Sequence, residues 1–321
     1  MKNAGIIVCF KDIDEKWFNI LEKMNIKNVG IHTLYQCGGV SGLLEWLEED
    51  KTKKLLKDAE SRGFNFTFPI HAVDYLLPRN LFNTHPEYFR VNKDGVRTND
   101  WNLCVSNKEA LKYVEDSSYE LAKKLNQKSS YYEIWSDDSL NSYCHCDKCK
   151  KYTPADQNLI ISTSILKGLK RLNKNAKNSY LAYQDSLDVP NQNVNEDLFL
   201  EFAPIDRNHS IPMSSSEDKN NVNNREVLNR LCNVFKNNVY ILEYYLDVSY
   251  FCRWNRANAK ALELDEHVLE EDFKFYDKYN VSNLYTFAGF IDNEWIDKYG
   301  IQDLIKYSNL IHKYFVKDVN S

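Results

Sequence analysis

Two hydrophobic periods alternate along this chain. Short apolar and aromatic runs near 4–10, 28–33, 64–71, 131–136, 179–184, 198–203, 239–245 and 283–288 have the length and residue types of β-strands. Between them, 14–24, 51–62, 108–125, 159–172, 225–236, 266–279 and 301–314 carry apolar residues three and four positions apart, as amphipathic helices do. The interval 186–197 offers no convincing helix. Alternating strands and helices build parallel βαβ units, and eight such strands with helices in nearly every interval describe a closed barrel better than an open sheet. The expected architecture is α/β, a single (β/α)8 TIM barrel domain over 1–321 with no linker, repeat or low-complexity tract. One long connection, from about 72 to 107, follows the third strand, and others follow the fourth, sixth and seventh. All leave the C-terminal ends of strands, the face on which barrel active sites are built. Loops beyond about 12–15 residues are usually functional.

Polar residues at those strand ends are the candidate chemistry: His32, His71, Asp137 with Asp138, Gln184 with Asp185, Asp206 with Arg207, and Glu243 with Asp247. A lone histidine there also reads as a hydrogen-bonded structural residue, and Asp185 as a cap. Adjacent carboxylates repel, so one of Asp137 and Asp138 is expected to hold its proton and serve as an acid. Glycoside cleavage needs such a donor beside the leaving oxygen, and a second group to stabilise positive charge at C1 of the sugar. The same two residues also read as caps of the loop at 139–143. Glu243 shares strand parity with Val239 and Ile241, which admits an inward nucleophile and ordinary double displacement. Its other reading is a carboxylate bound to Arg207, Arg253 or a substrate hydroxyl.

Aromatic residues make up 13% of the chain, and Tyr75, Trp101, Tyr143, Tyr183, Tyr244, Tyr245 and Trp254 fall on or beside that same face. Aromatic faces suit the apolar faces of sugar rings. Charge narrows the partners: 41 Lys and Arg against 46 Asp and Glu give a net −5, with no basic stripe, so nucleic acid is not an expected partner. No apolar run approaches the roughly 20 residues of a membrane span. The N-terminus has neither the apolar stretch of about 7–15 residues nor the cleavage site of a signal peptide, so a cytoplasmic location is expected.

Eight cysteines without an export signal read as reduced thiols or metal ligands. Cys144, Cys146 and Cys149 form C-x-C-x-x-C directly after the aspartate pair, a spacing that suits a structural zinc with His145, Cys104 or a residue brought in by folding as fourth ligand. Free thiols are the other reading. No cofactor is expected for catalysis. Cys9, Cys37, Cys232 and Cys252 read as small core residues.

A set of ordered segments carries a resemblance. They are His71-Ala72-Val73-Asp74-Tyr75-Leu76-Leu77-Pro78-Arg79, His85-Pro86-Glu87-Tyr88-Phe89, Leu103-Cys104-Val105-Ser106-Asn107, the aspartate pair with its cysteines, Leu181-Ala182-Tyr183-Gln184-Asp185 and Phe202-Ala203-Pro204-Ile205. Over about 64–245 the chain resembles the bacterial domain-of-unknown-function family that overlaps glycoside hydrolase family 163. That resemblance implies a hexosaminidase-type barrel with endo-β-N-acetylglucosaminidase-like activity and a substrate-assisted mechanism, in which the 2-acetamido oxygen attacks C1. Asp138 would then be the general acid and base, and Asp137 would orient the acetamido N–H. Tyr244 or Tyr245 would steady the acetamido carbonyl, and His71 and Gln184 would bind sugar hydroxyls. The related hexosaminidases usually place Glu where this chain has Asp138. The partner so implied is an oligosaccharide or glycoside. Two other functions fit the same residues: a glycan-binding barrel without catalysis, and a metal-dependent hydrolase built on the cysteines and histidines.

Overall fold

A computed structural model describes residues 2–236, 239–279 and 281–316. Its strands are β1 (Asn3–Cys9), β2 (Asn28–His32), β3 (Asn65–Thr67), β4 (Ile70–His71), β5 (Tyr131–Tyr132), β6 (Ile134–Trp135), β7 (Lys177–Ala182), β8 (Leu198–Phe202), β9 (Val239–Glu243) and β10 (Val281–Phe287). The third and fourth predicted strands are each split in two. Pro69, which has no N–H to donate, separates β3 from β4. Glu133 separates β5 from β6. Every pairing between these strands is parallel, and the ring closes where Ile70 meets Ile134 and His71 meets Trp135. The result is the expected barrel of eight staves.

The main helices pack outside it: α1 (Glu15–Lys23), α2 (Gly39–Glu48), α3 (Asp50–Ser61), α4 (Val73–Leu76), α5 (Lys108–Leu125), α6 (Pro154–Leu172), α7 (Lys219–Phe235), α8 (Val248–Phe251), α9 (Glu266–Asp277), α10 (Asn293–Tyr299) and α11 (Gln302–Ile311). Local chemistry sets their ends. Asn107 caps α5 by accepting from the N–H groups of Glu109 and Ala110, and Asn126 ends it in the left-handed region at φ 48°. Thr153 and Asp156 form a reciprocal capping box around Pro154 at the start of α6. That helix therefore starts five residues before the apolar period suggests. Its first turn is polar because Asp156 and Gln157 bind loops and Asn158 donates to the Leu181 carbonyl of β7.

Two cores result. The larger lies between strands and helices and takes the outward residues, such as Ile6, Val8, Ile31, Val239 and Ile241. The smaller fills the barrel lumen with Ile7, Trp135, Leu181, Ala203, Leu242 and Tyr285. Gly5 is required by this lumen, since a Cβ there would stand 2.1 Å from the Tyr285 ring.

Candidate active site

All eight staves contribute to one cavity at their C-terminal ends. Cys9, His32 and His71 come from the first three, and Trp135 with Asp138 from the fourth. Tyr183 and Ile205 follow the fifth and sixth, Tyr244 and Asp247 the seventh, and Phe287 with Gly289 the eighth. Its volume is about 110 Å³. Roomier hollows of about 600 and 820 Å³ lie at the N-terminal end of the barrel and against the start of α9. Size does not decide here: the small cavity is where carboxyl, imidazole and aromatic groups converge on the end of the barrel used for chemistry.

The two histidines are fixed by backbone. The Pro69 carbonyl lies 2.5 Å from Nδ1 of His32, and the Ser136 carbonyl 2.6 Å from Nδ1 of His71. A carbonyl only accepts, so each Nδ1 carries its proton and, in the neutral ring, Nε2 is the acceptor. Burial, with His71 adding to it, holds the His32 pKa down to about 4, so this ring is uncharged at neutral pH. Trp135 stands 4.9 Å from the His71 ring, and Phe287 stacks with Tyr244 at 5.6 Å, giving the cavity aromatic walls.

Asp138 lines this cavity beside Tyr183 and Tyr244. Burial, reinforced by the Asp138 carboxylate, keeps the Tyr183 hydroxyl protonated far above the usual phenol range. Burial does the same for Tyr244, with Tyr183 and Asp138 adding to it. Gln184, at φ 46°, turns its amide back to donate to the Tyr183 hydroxyl at 2.9 Å.

The structure does not bring Asp137 into the cavity. Arg79 holds its carboxylate at 2.6 Å, and the Asp74 N–H donates to its other oxygen at 3.1 Å. Burial still raises its pKa, against the pull of Arg79. Asp137, expected to orient an acetamido group, thus faces Arg79 and the Asp74 backbone and is not among the residues lining the cavity. The chain leaves strand geometry after Trp135, and the two carboxyls diverge into different surroundings.

Four further expectations are corrected by parity and loop anchoring. Glu243 shares its face with Val239 and Ile241, but that face is the outer one: it is fully buried against Arg207 at 3.1 Å and the Tyr276 hydroxyl at 2.5 Å. Arg207 also pairs with Asp272 at 2.5 Å, so it too is sealed between strands and helices. Tyr245 donates to Asp272 at 3.0 Å on the same outer side. Asp185 accepts the Asn141 N–H and anchors the loop at 139–143 instead of lining the cavity.

Asp247 is the residue that sequence reasoning ranked too low. It lines the cavity and accepts from the N–H groups of Ser249 and Tyr250 at 3.0 and 3.3 Å, capping α8. Burial pushes its pKa up to about 6 despite those donors. Its position after the seventh strand was the available signal. Trp135 and Phe287 were hidden inside runs that read as ordinary strand.

Beyond Asp138 the cysteines converge. The sulfurs of Cys104, Cys144, Cys146 and Cys149 all lie within 4.8 Å of one another, with Cys104 at 3.7 Å from both Cys146 and Cys149. Cys104, and not His145, completes the set. Asn102, two residues earlier, accepts the Asp137 N–H at 3.0 Å and donates to the Ser142 hydroxyl at 2.9 Å.

A closed (β/α)8 barrel with a carboxyl-bearing aromatic cavity at the C-terminal end of its strands is the class of protein defined by these features. Within it, the chain belongs to the family described as Domain of unknown function (DUF4838), which matches residues 18–302. No curated protein matches the chain significantly. Among solved structures it is similar to a β-N-acetylhexosaminidase from Bacteroides fragilis, with TM-score 0.59 and 12% identity, covering 96% of this chain and 66% of that one. It is also similar to a tri-modular GH5 (subfamily 4) endo-β-1,4-glucanase from Bacillus licheniformis, with TM-score 0.56, 12% identity, and 96% and 58% covered. A β-galactosidase from Rahnella sp. R3 gives TM-score 0.58, 12% identity, and 98% and 56% covered. The chain thus spans somewhat less than two thirds of the length of these three proteins. At such identities the likeness is one of fold. No helix among the described residues is long and apolar enough to cross a membrane.

Proposed function

We propose that this chain is a glycoside hydrolase acting on a β-linked N-acetylhexosaminide, with Asp138 as general acid and base. The observation that carries the reading is the placement of Asp138 among Tyr183, Tyr244, Trp135 and His71 in a cavity to which all eight staves contribute. Aromatic walls hold the apolar faces of a sugar ring, and the uncharged His32 with the His71 ring and the tyrosine hydroxyls supply its hydroxyls with partners.

In the proposed reaction Asp138 gives its proton to the glycosidic oxygen as the C1–O bond breaks. The carbonyl oxygen of the 2-acetamido group attacks C1 and forms an oxazolinium. Water deprotonated by Asp138 then reopens that ring with net retention. Sealing Glu243 against Arg207 removes the strand-seven nucleophile of a double displacement, which favours the substrate's own acetamido group. Asp247 takes the part first expected of Asp137. Ionised above its pKa of about 6, it accepts the acetamido N–H, while Asp137, tied to Arg79, steadies the backbone behind Asp138.

The test is product formation from a panel of β-N-acetylhexosaminides and chitobiose-containing glycans, run beside Asp138→Asn. We expect turnover by the parent and a loss of about 10²–10⁴-fold in the variant. Equal turnover in the two sinks the assignment. Saturable binding of a panel member without product would instead make the barrel a glycan-binding module. A covalent glycosyl adduct on any carboxylate would replace acetamido participation with double displacement.

A further inference from the structure

We propose that Cys104, Cys144, Cys146 and Cys149 bind one zinc ion as a closed tetrathiolate site, and that the metal clips the segment before α5 to the loop after β6. The first support is geometric. A tetrahedron with zinc–sulfur arms of about 2.3 Å has edges of about 3.8 Å. The Cys104 sulfur lies 3.7 Å from those of both Cys146 and Cys149, and all four sulfurs are within 4.8 Å of each other. Such separations suit ligands around a shared ion and are far longer than a disulfide bond of about 2.05 Å.

Donor chemistry points the same way. Four sulfurs brought into one mostly buried cluster have only weak S–H donors to offer one another, a poor return for closing a loop between residues 40 or more apart in sequence. As thiolates around a soft divalent cation they are satisfied fully. Their surroundings supply donors to sulfur: the Val91 N–H reaches Cys144 Sγ at 3.3 Å, and the Ser106 hydroxyl lies 3.2 Å from Cys104 Sγ. Such outer hydrogen bonds orient metal-bound thiolates. The turn at 146–149, closed by the Cys149 N–H donating to the Cys146 carbonyl at 2.8 Å, directs two sulfurs to one side. Four protein ligands leave no open position, so the ion is structural and activates no water.

Its consequence is positional. Cys104 is two residues from Asn102, which holds the Asp137 N–H and the Ser142 hydroxyl. On the other side Gln157 of α6 clamps both backbone groups of Cys144, at 3.0 and 2.9 Å. The metal therefore fixes the chain on both sides of Asp138.

Elemental analysis of the purified full chain is expected to give one zinc per chain. Replacement by cobalt is expected to give the thiolate charge-transfer and intense visible bands of a tetrahedral cobalt–sulfur centre. Cys104→Ser should lose metal to a competing chelator at least tenfold more readily, while Cys232→Ser, at a thiol on α7 away from the cluster, should match the parent. Should Cys104→Ser fail to fold, the cobalt spectrum of the parent decides alone. A parent chain purified with much less than one metal per chain and unable to take up zinc overturns the proposal. So does a disulfide between any two of the four, or a cobalt spectrum of six-coordinate type. None of these readouts depends on whether the chain cleaves a glycoside.

Discussion

Glu243 and Tyr244 are neighbours in the chain, yet one is sealed against the helices and the other lines the cavity. Alternation along a strand makes this unavoidable, and parity alone says which residues share a face without saying which face looks inward. In this barrel the apolar β-branched strand residues other than Ile7 go outward to the helices, and the lumen takes Tyr285, Trp135 and Leu242. Glu243 consequently belongs to a buried network with Arg207, Asp272 and the Tyr276 hydroxyl. Removing the one cation leaves two buried carboxyls facing each other, so Arg207→Met is expected to cost about 3 kcal/mol in unfolding free energy, read from a denaturant titration. A midpoint unchanged from the parent would mean that the network contributes nothing. The sequence displayed both halves of the Arg207 and Glu243 pair. Its partner Asp272 was not legible, because it sits in the middle of α9 where a charged residue reads as solvated surface.

At the scale of elements, the eight staves were readable from their short apolar runs, two of which break at Pro69 and Glu133, and the helices at 108–125 and 266–277 from their long apolar periods. What escaped were elements whose polar residues are buried for local reasons. The start of α7 reads as loop through Asn220, Asn221, Asn223 and Asn224, yet the buried Asn221 side chain donates to three loop carbonyls, those of Asn208, Ile211 and Pro212. Similarly α2 follows Gly38 and begins on Gly39, both at positive φ, which a one-dimensional pattern reads as a break. The seam between α5 and α6 shows what a small residue inside a helix is for. A Cβ on Gly168 would stand 2.1 Å from the Glu115 carbonyl oxygen and 2.9 Å from the Ser118 side chain. Backbone cannot step aside as a flexible side chain can, so Gly168→Ala forces the helices apart despite alanine's better helix propensity. We expect a loss of about 1–3 kcal/mol, measured as a lower denaturant midpoint at unchanged m-value. A gain in stability would show that the seam gives way at no cost. Because α5 follows Cys104 and α6 follows Cys149, the same variant is expected to loosen the cysteine cluster as well.

For the molecule as a whole, the least legible feature is a pair of carboxyls inside the barrel beneath the cavity floor. Glu133 lies in the gap between β5 and β6, and Glu201 is on β8; each reads as an incidental polar residue in an apolar run. Glu201 accepts from the Trp135 indole at 2.7 Å, so the lumen and the cavity wall are joined by one hydrogen bond. Burial pushes the Glu133 pKa up to about 7, and burial together with Glu133 raises Glu201 further still. The sign follows directly. The folded state binds this proton more tightly than the unfolded chain, so the contribution is fully present below about pH 4.5 and is lost as pH rises through about 7. For Glu133 alone the loss across that window is about 3 kcal/mol. The buried histidines act oppositely: burial holds His32 near 4 and His209 near 3, so folding gains stability as pH rises from about 4 toward 6.5. The parent's curve mixes both signs, and the diagnostic quantity is therefore its difference from Glu133→Gln, which stays neutral at every pH. Unfolding free energies of the two proteins, measured from about pH 4.5 to about pH 9.5, should diverge in favour of the variant as pH rises and run parallel above about pH 8. Curves parallel from the start would mean that Glu133 ionises in the barrel as easily as in water. In that case water entering from the hollow of about 600 Å³ at the N-terminal end, which Glu133 lines, would be solvating the lumen, and the Trp135 wall of the cavity would rest on a hydrated base.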